Sequence, residues 1–172
     1  MPSLLTSVTA MLAATPARWT ALASLDAELL ARQPTPGEWS AIECLGHVVD
    51  GERQVMLHRA LAIREGRDFP AFDPDSEGSP IRGTMAELAA EFAAQRAASL
   101  RELATFTEAD LDRTARHAEF GPVTLRELLN EWAAHDTMHV VQAERALMQA
   151  FIPGTGPWRM YFGDHEAVPS PA

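Results

Sequence analysis

The sequence predicts an all-α protein, a four-helix bundle with a short irregular C-terminal tail. Three observations carry that expectation. Apolar residues recur at steps of three and four in four long segments. Three of the segments open on a capping box, Ser40–Glu43, Thr84–Glu87 and Thr124–Glu127, in which side chains satisfy the orphan N–H groups of a helix start. No strand alternation of any length and no internal repeat is present. At 172 residues and 47% hydrophobic content, the chain suits one domain over 1–172, with residues 152–172 as the tail.

The first segment, from Ser3 to about Arg32, is helical in pattern but interrupted. Pro16 fits a helix start better than an interior, so the reading is a short helix to about Ala14 and a restart after Thr15. Trp19, Leu22, Leu25, Leu29 and Leu30 give it an apolar face. Pro34, Pro36 and Gly37 end it. The second helix starts after Trp39-Ser40 and should reach about Glu65, closed by Gly66. Its stripe holds Ala41, Cys44, Leu45, Val48, Val55 and Met56, with His47 at the edge. Residues 67–83 form a long loop, functional or mobile. The third helix runs from Met85 to about Leu103, with Leu88, Phe92 and Leu100 inward. Thr107–Asp110 reads as a helical turn and Phe120-Gly-Pro122 as a turn with an extended residue on either side.

The fourth helix, from Thr124 to about Ala150, carries the anomaly. Its seam reads Leu125, Leu128, Trp132, His135, His139, Gln142 and Ala146. Three polar side chains stand where the pattern asks for apolar ones, and buried polar groups are costly unless satisfied. Two histidines four apart on one face can converge on one metal ion. They can also simply hydrogen-bond in the core. Asp136, next to the first histidine, points about 100° away from it and reads as a solvated face. A metalloprotease is not supported, because Glu is missing from that position. After Phe151, Pro and Gly stop the helix. Trp158, Met160, Tyr161 and Phe162 follow, expected to pack on the bundle or on a second subunit, and the residues from about Ala167 read as disordered.

Composition narrows the partners. The formal charge is -10, and all 14 basic residues are arginine. An acidic surface with no basic patch argues against nucleic acid. No apolar run is long enough for a membrane span. The single Cys44 allows no intrachain disulfide and fits a cytoplasmic setting; its place in the stripe makes it a buried, inert thiol. There is no Gly-x-Ser-x-Gly elbow and no glycine-rich phosphate loop.

A catalytic metal usually takes a third protein ligand and keeps a position open. Geometry alone does not choose among His47, His58, His117 and His165; the last two sit in loops and are expected to be exposed. Trp39-Ser40, Glu43, His47 and Glu52 on helix two, followed by His135-x-x-x-His139-x-x-Gln142 on helix four, resemble the DinB/YfiT-like superfamily of four-helix-bundle metalloproteins over about residues 10–150. That resemblance implies His47, His135 and His139 as metal ligands. It implies a divalent transition metal, zinc or nickel first, a homodimer, and a small-molecule substrate. It also implies a transferase using a low-molecular-weight thiol in stress and detoxification, similar to bacillithiol or mycothiol S-transferases. A metal-dependent hydrolase and a non-enzymatic stress-induced binding protein are the alternatives. Gln142 could orient a ligand or bound water. Glu52 could stand behind the site, but a buried pair with an arginine explains it better, and the capping box explains Glu43. Trp39 and Trp132 read as core. No catalytic residue is assigned.

Overall fold

The computed structural model describes residues 2–72 and 82–167, and over these the chain is a helix bundle. Its helices are α1 (Leu4–Leu22), α2 (Ala27–Ala31), α3 (Ala41–Gly51), α4 (Leu57–Glu65), α5 (Met85–Leu103) and α6 (Leu125–Met148). A π-helical turn, Glu52–Met56, joins α3 to α4 without a break. Helix α1 packs on α5 and α6, and so does α3. Helices α1 and α3 therefore occupy opposite corners, as do α5 and α6. Among the described residues, no helix is long and apolar enough to cross a membrane.

All three capping boxes form as the spacing requires. A fourth, Thr107 with Asp110, closes the short 3-10 turn after α5. Gly66 ends α4 in the left-handed region, φ 70°, which glycine adopts without a Cβ penalty. The loop expected over 67–83 lies partly outside the described residues, as does most of the tail end expected to be disordered.

Pro16 does not interrupt α1; the helix ends instead at Leu22, and Asp26 caps the separate α2. A proline leaves the carbonyl four residues earlier without its helical donor. Here that carbonyl, Leu12 O, is reached by Thr15 Oγ1 at 3.2 Å and by Arg96 Nη1 at 3.0 Å. The break is avoided because a residue from α5 supplies the missing hydrogen bond.

The expectation of no strands is also corrected. Thr114–His117 (β1) and Gly121–Thr124 (β2) pair antiparallel, with Ala115 opposite Val123. Gly121 has φ 78° at the turn, a conformation that favours glycine. The strands are too short for their alternation to stand out in the sequence. His117 is buried on β1, not exposed in a loop.

Two apolar clusters fill the interior. One joins Leu12, Met56, Ile63, Leu103, Leu125 and Trp132; the other joins Trp19, Leu45, Val49, Phe92, Val140 and Ala143. Between them, along every long helix, lies a buried polar residue: Thr15, Glu52, Arg96 and Asp136. Arg96 is fully enclosed and uses its whole fork. It donates to Glu52 at 3.0 and 2.8 Å and to Asp136 at 2.6 and 2.8 Å. Thr15 also donates to Asp136, at 2.7 Å. Burial opposes the guanidinium charge, but the bonds to Asp136 and Glu52 outweigh it and hold the pKa above its ordinary value. Asp136 is thus a core residue and not a solvated face.

The tail folds into 3-10 turns over Gly156–His165. It is tied to α6 through its backbone, where Arg145 donates to the carbonyls of His165 and Glu166. Of the four large side chains expected to pack, Trp158, Met160 and Tyr161 are exposed and only Phe162 is half-buried.

Candidate metal centre

Helix α6 packs on helix α3, and the histidines meet across that contact. The buried face of α6 shifts along its length. It begins as Leu125, Leu128 and Trp132 and then widens to take in Asp136, Val140, Ala143 and Leu147 beside His139 and Ala146. This drift follows from 3.6 residues per turn. His135 and Gln142 are thereby moved from the seam centre to its edge, where both are half-buried, while His139 stays buried. At the edge they look into a cleft between α3 and α6. His47 projects into it from the edge of the α3 stripe.

The three imidazoles come together in this cleft. His47 Nε2 and His135 Nε2 are 3.1 Å apart. One nitrogen from each of His47, His135 and His139 can be chosen so that all lie within 4.8 Å of one another. Two ligands of a tetrahedral ion at Zn–N distances of about 2.0–2.1 Å stand about 3.3 Å apart, so the observed pair is at coordination spacing. The ring centroids lie 4.4–5.2 Å apart. His58 and His165 are exposed and His117 belongs to the hairpin, so none of these joins the trio.

Protonation favours ligation. Burial pushes His135 down to about 4, and the neighbouring His139 and His47 push the same way. Burial also lowers His139, against the opposing effects of Gln142 and Asp136. Gln142 Oε1 lies 2.9 Å from His139 Nδ1. Accepting the Nδ1 proton there leaves Nε2 with its lone pair directed away from the amide. His135 Nδ1 is buried without a hydrogen-bond partner, a cost that an isolated core histidine would not sustain easily. The residues present therefore fit a divalent cation: neutral imidazoles, a fixed tautomer and nitrogen spacing short enough for one ion.

Glu52 is placed elsewhere. Its carboxylate is consumed by Arg96 in the polar layer, behind the cleft. Cys44 is buried, and burial followed by the charge of Glu43 pushes its thiol up to about 12, which removes it as a nucleophile. Trp132 is core, as expected. Trp39 is not: it is half-buried and forms a cleft wall, its ring 4.8 Å from His47 and stacked at 5.7 Å on His139.

The cleft has two arms. A broad one of about 660 Å³ runs past Trp39 and His139 towards Gln142 and Arg145. The central part, about 340 Å³, is lined by the three histidines, Val55 and Met56 of the π turn and α4 boundary, Arg59 and Glu131. Arg59 and Glu131 continue into an adjoining apolar pocket. These two residues had no distinguishing signal in the sequence beyond a charge near an apolar stripe.

Comparison with known proteins agrees with the fold. The family model described as the DinB superfamily matches residues 11–143. No curated protein matches the chain. Among solved structures, YfiT from Bacillus subtilis, described as a probable metal-dependent hydrolase with an unusual four-helix bundle topology, superposes with a TM-score of 0.73 at 16% identity, covering 86% of this chain and 87% of that one.

Proposed function

The chain belongs to the DinB superfamily, and from that membership we propose that it is a divalent-metal-dependent enzyme whose His47, His135 and His139 hold the ion. The observation that carries the proposal is the 3.1 Å approach of His47 Nε2 to His135 Nε2, with His139 beside them. Three neutral imidazoles leave a divalent ion its full charge, and an ion so held lowers the pKa of a bound water or thiol towards neutrality. Zinc and nickel both suit an all-imidazole set.

The chain's own residues divide the remaining work. Gln142 fixes the His139 ring through Nδ1. Trp39 covers the outer side of His47 and His139 and excludes water there. The buried layer behind the site pairs one guanidinium with two carboxylates, which leaves excess negative charge next to His135 and favours a cation in front of it. Arms on two sides of the histidines give room for two reactants, which supports transfer from a low-molecular-weight thiol to an electrophilic small molecule. Hydrolysis is the second reading, favoured by the description of the YfiT neighbour and by Glu131 at the cleft. Partial burial holds the Glu131 carboxyl above its ordinary value, against the opposing charge of Arg59.

We place the protein in the cytoplasm and, from the exposed Trp158, Met160 and Tyr161, propose a homodimer.

The test is metal analysis followed by turnover. Purified protein reloaded with zinc or nickel should hold one ion per chain, and His135→Ala should lose it. Zinc-loaded protein should then consume an electrophile faster in the presence of a thiol than in its absence. Turnover of esters or amides without thiol would move the assignment to hydrolysis. A wild-type chain that takes up neither metal would overturn the site.

A further inference from the structure

Arg59 stands out among the arginines at the cleft. It lies on α4, three turns beyond His47, and is half-buried. A guanidinium offers five N–H donors in a planar fork. Arg96 spends all of its donors in the polar layer. Arg145, in the broad arm, spends its own on tail carbonyls. Arg59 makes a single long hydrogen bond, Nη2 to Pro70 O at 3.5 Å, and among the described residues no carboxylate comes within ion-pair distance. It also meets the Phe69 ring, 5.6 Å away, and feels the charge of Glu131, which lines the same cleft beyond ion-pair distance. Removing a charge from water without a close partner is costly, and burial lowers the Arg59 pKa although the charge of Glu131 opposes it.

The neighbouring pocket is of a different kind. It has a volume of about 230 Å³; Phe69, His117, Phe120 and Leu128 form its apolar walls, and Glu127 and Glu131 also line it. His117 Nδ1 accepts from the backbone N–H groups of Glu119 at 3.1 Å and Phe120 at 3.3 Å, so its ring is the neutral tautomer with the proton on Nε2. Phe120 stacks on it at 4.6 Å, and Phe69 meets its edge at 5.3 Å. Phe120 is 70% exposed, so it stands at the open side of this pocket. A dry cavity of about 150 Å³ holds benzene, so this pocket has room for a ring and a short chain. Arg59 lines both this pocket and the histidine cleft.

We propose that Arg59 anchors the carboxylate of a small substrate whose ring-sized apolar end enters the pocket walled by Phe69, His117 and Phe120. The substrate class is an aryl- or bulky alkyl-carboxylic acid. The inference rests on the three-histidine reading only in saying which part of the molecule reacts; the binding itself needs no metal.

The test uses calorimetric titration of the full chain, stripped with chelator and then zinc-loaded, with 3-phenylpropionate and 3-phenylpropylamine as probes. Metal-free wild type should bind the acid at least about tenfold more tightly than the amine, since a charge-assisted bidentate bond contributes on the order of one factor of ten or more. Arg59→Gln should remove that preference, and Phe120→Ser should weaken the acid several-fold while leaving the urea midpoint unchanged. Equal binding of acid and amine, no saturable binding of the acid, or an unchanged preference in Arg59→Gln would overturn the anchor. So would acid binding that appears only with zinc and survives Arg59→Gln, because the carboxylate would then be on the metal. Zinc uptake is read separately by elemental analysis. Normal uptake with no acid preference refutes the anchor alone; an acid preference in a chain that never binds zinc refutes the metal centre alone.

Discussion

Replacing His135 by glutamine should make the metal-free protein less sensitive to acid. Burial holds the His135 pKa near 4 in the folded chain, against an ordinary value of about 6.5 when unfolded. The unfolded chain therefore takes up a proton near pH 6.5 that the folded chain refuses until about pH 4. Stability is undiminished above pH 6.5, falls as pH drops through the window between the two values, and levels off below it. The shift of about 2.5 units corresponds to about 3 kcal/mol over the whole window, and to about 2 kcal/mol between pH 7.5 and pH 5.0. Urea unfolding in the presence of a chelator at those two pH values, for wild type and His135→Gln, isolates the effect. Carboxylates and histidines outside the cleft titrate in both proteins and cancel, and the difference reports His135 together with its coupling to His47 and His139. Wild type should lose about 2 kcal/mol more than the variant on acidification. Equal losses in the two would refute the claim that His135 is held neutral in the cleft. In excess zinc at pH 7.5, wild type alone should gain stability with rising metal concentration, because only the folded state binds it.

Other outcomes follow from the same geometry. Arg96→Met should cost roughly 3–5 kcal/mol, since it strands two buried carboxylates; adding Glu52→Gln and Asp136→Asn should recover much of this in thermal unfolding, and no recovery would assign the loss to packing. Gln142→Leu should weaken zinc binding about 10–100-fold in competition with a chromophoric chelator, by freeing the His139 ring, with little change in the urea midpoint. His47→Ala should abolish stoichiometric metal while far-ultraviolet circular dichroism stays helical; retained metal would remove His47 from the ligand set. Trp158→Ser with Tyr161→Ser should shift sedimentation from dimer to monomer, and a monomeric wild type would end the proposal of a homodimer.

The helices were legible because their signals are local. Ser40–Glu43, Thr84–Glu87 and Thr124–Glu127 mark starts within four residues, and all three boxes form. The His135/His139 pair was legible for the same reason, as a break in a periodic face. Its partner His47 was not. The distance from α3 to α6 is set by tertiary packing, so resemblance supplied what periodicity could not. The failures share that cause. Pro16 looks like a break until Arg96, 80 residues later, is seen donating to Leu12 O. Asp136 looks solvated on a helical wheel drawn from His135, because the wheel ignores the drift of a real seam over six turns and the guanidinium waiting opposite.

One signal for the polar layer was nonetheless present in the sequence. The buried positions of α5 include Met85, Leu88, Phe92, Arg96, Ser99 and Leu103, in steps of three and four, with Ala89 beside them. Arginine in that seam requires a carboxylate on a facing helix, since an unpaired buried charge is prohibitive. Glu52 stands in the α3–α4 stripe as the matching irregularity, and the two do pair. Their meeting also bears on the site. The π turn starts at Glu52, one turn after His47, and inserts an extra residue into the helix that carries it. That insertion keeps Glu52 on the inner layer while Val55, Met56 and Arg59 face the cleft. An uninterrupted α-helix would rotate these side chains by about 100° relative to His47. The buried ion pair and the surface of the cleft are thus set by the same irregular turn. Moving Arg59 to another helix face while leaving the histidines in place would then require only the loss of one residue from Glu52–Met56.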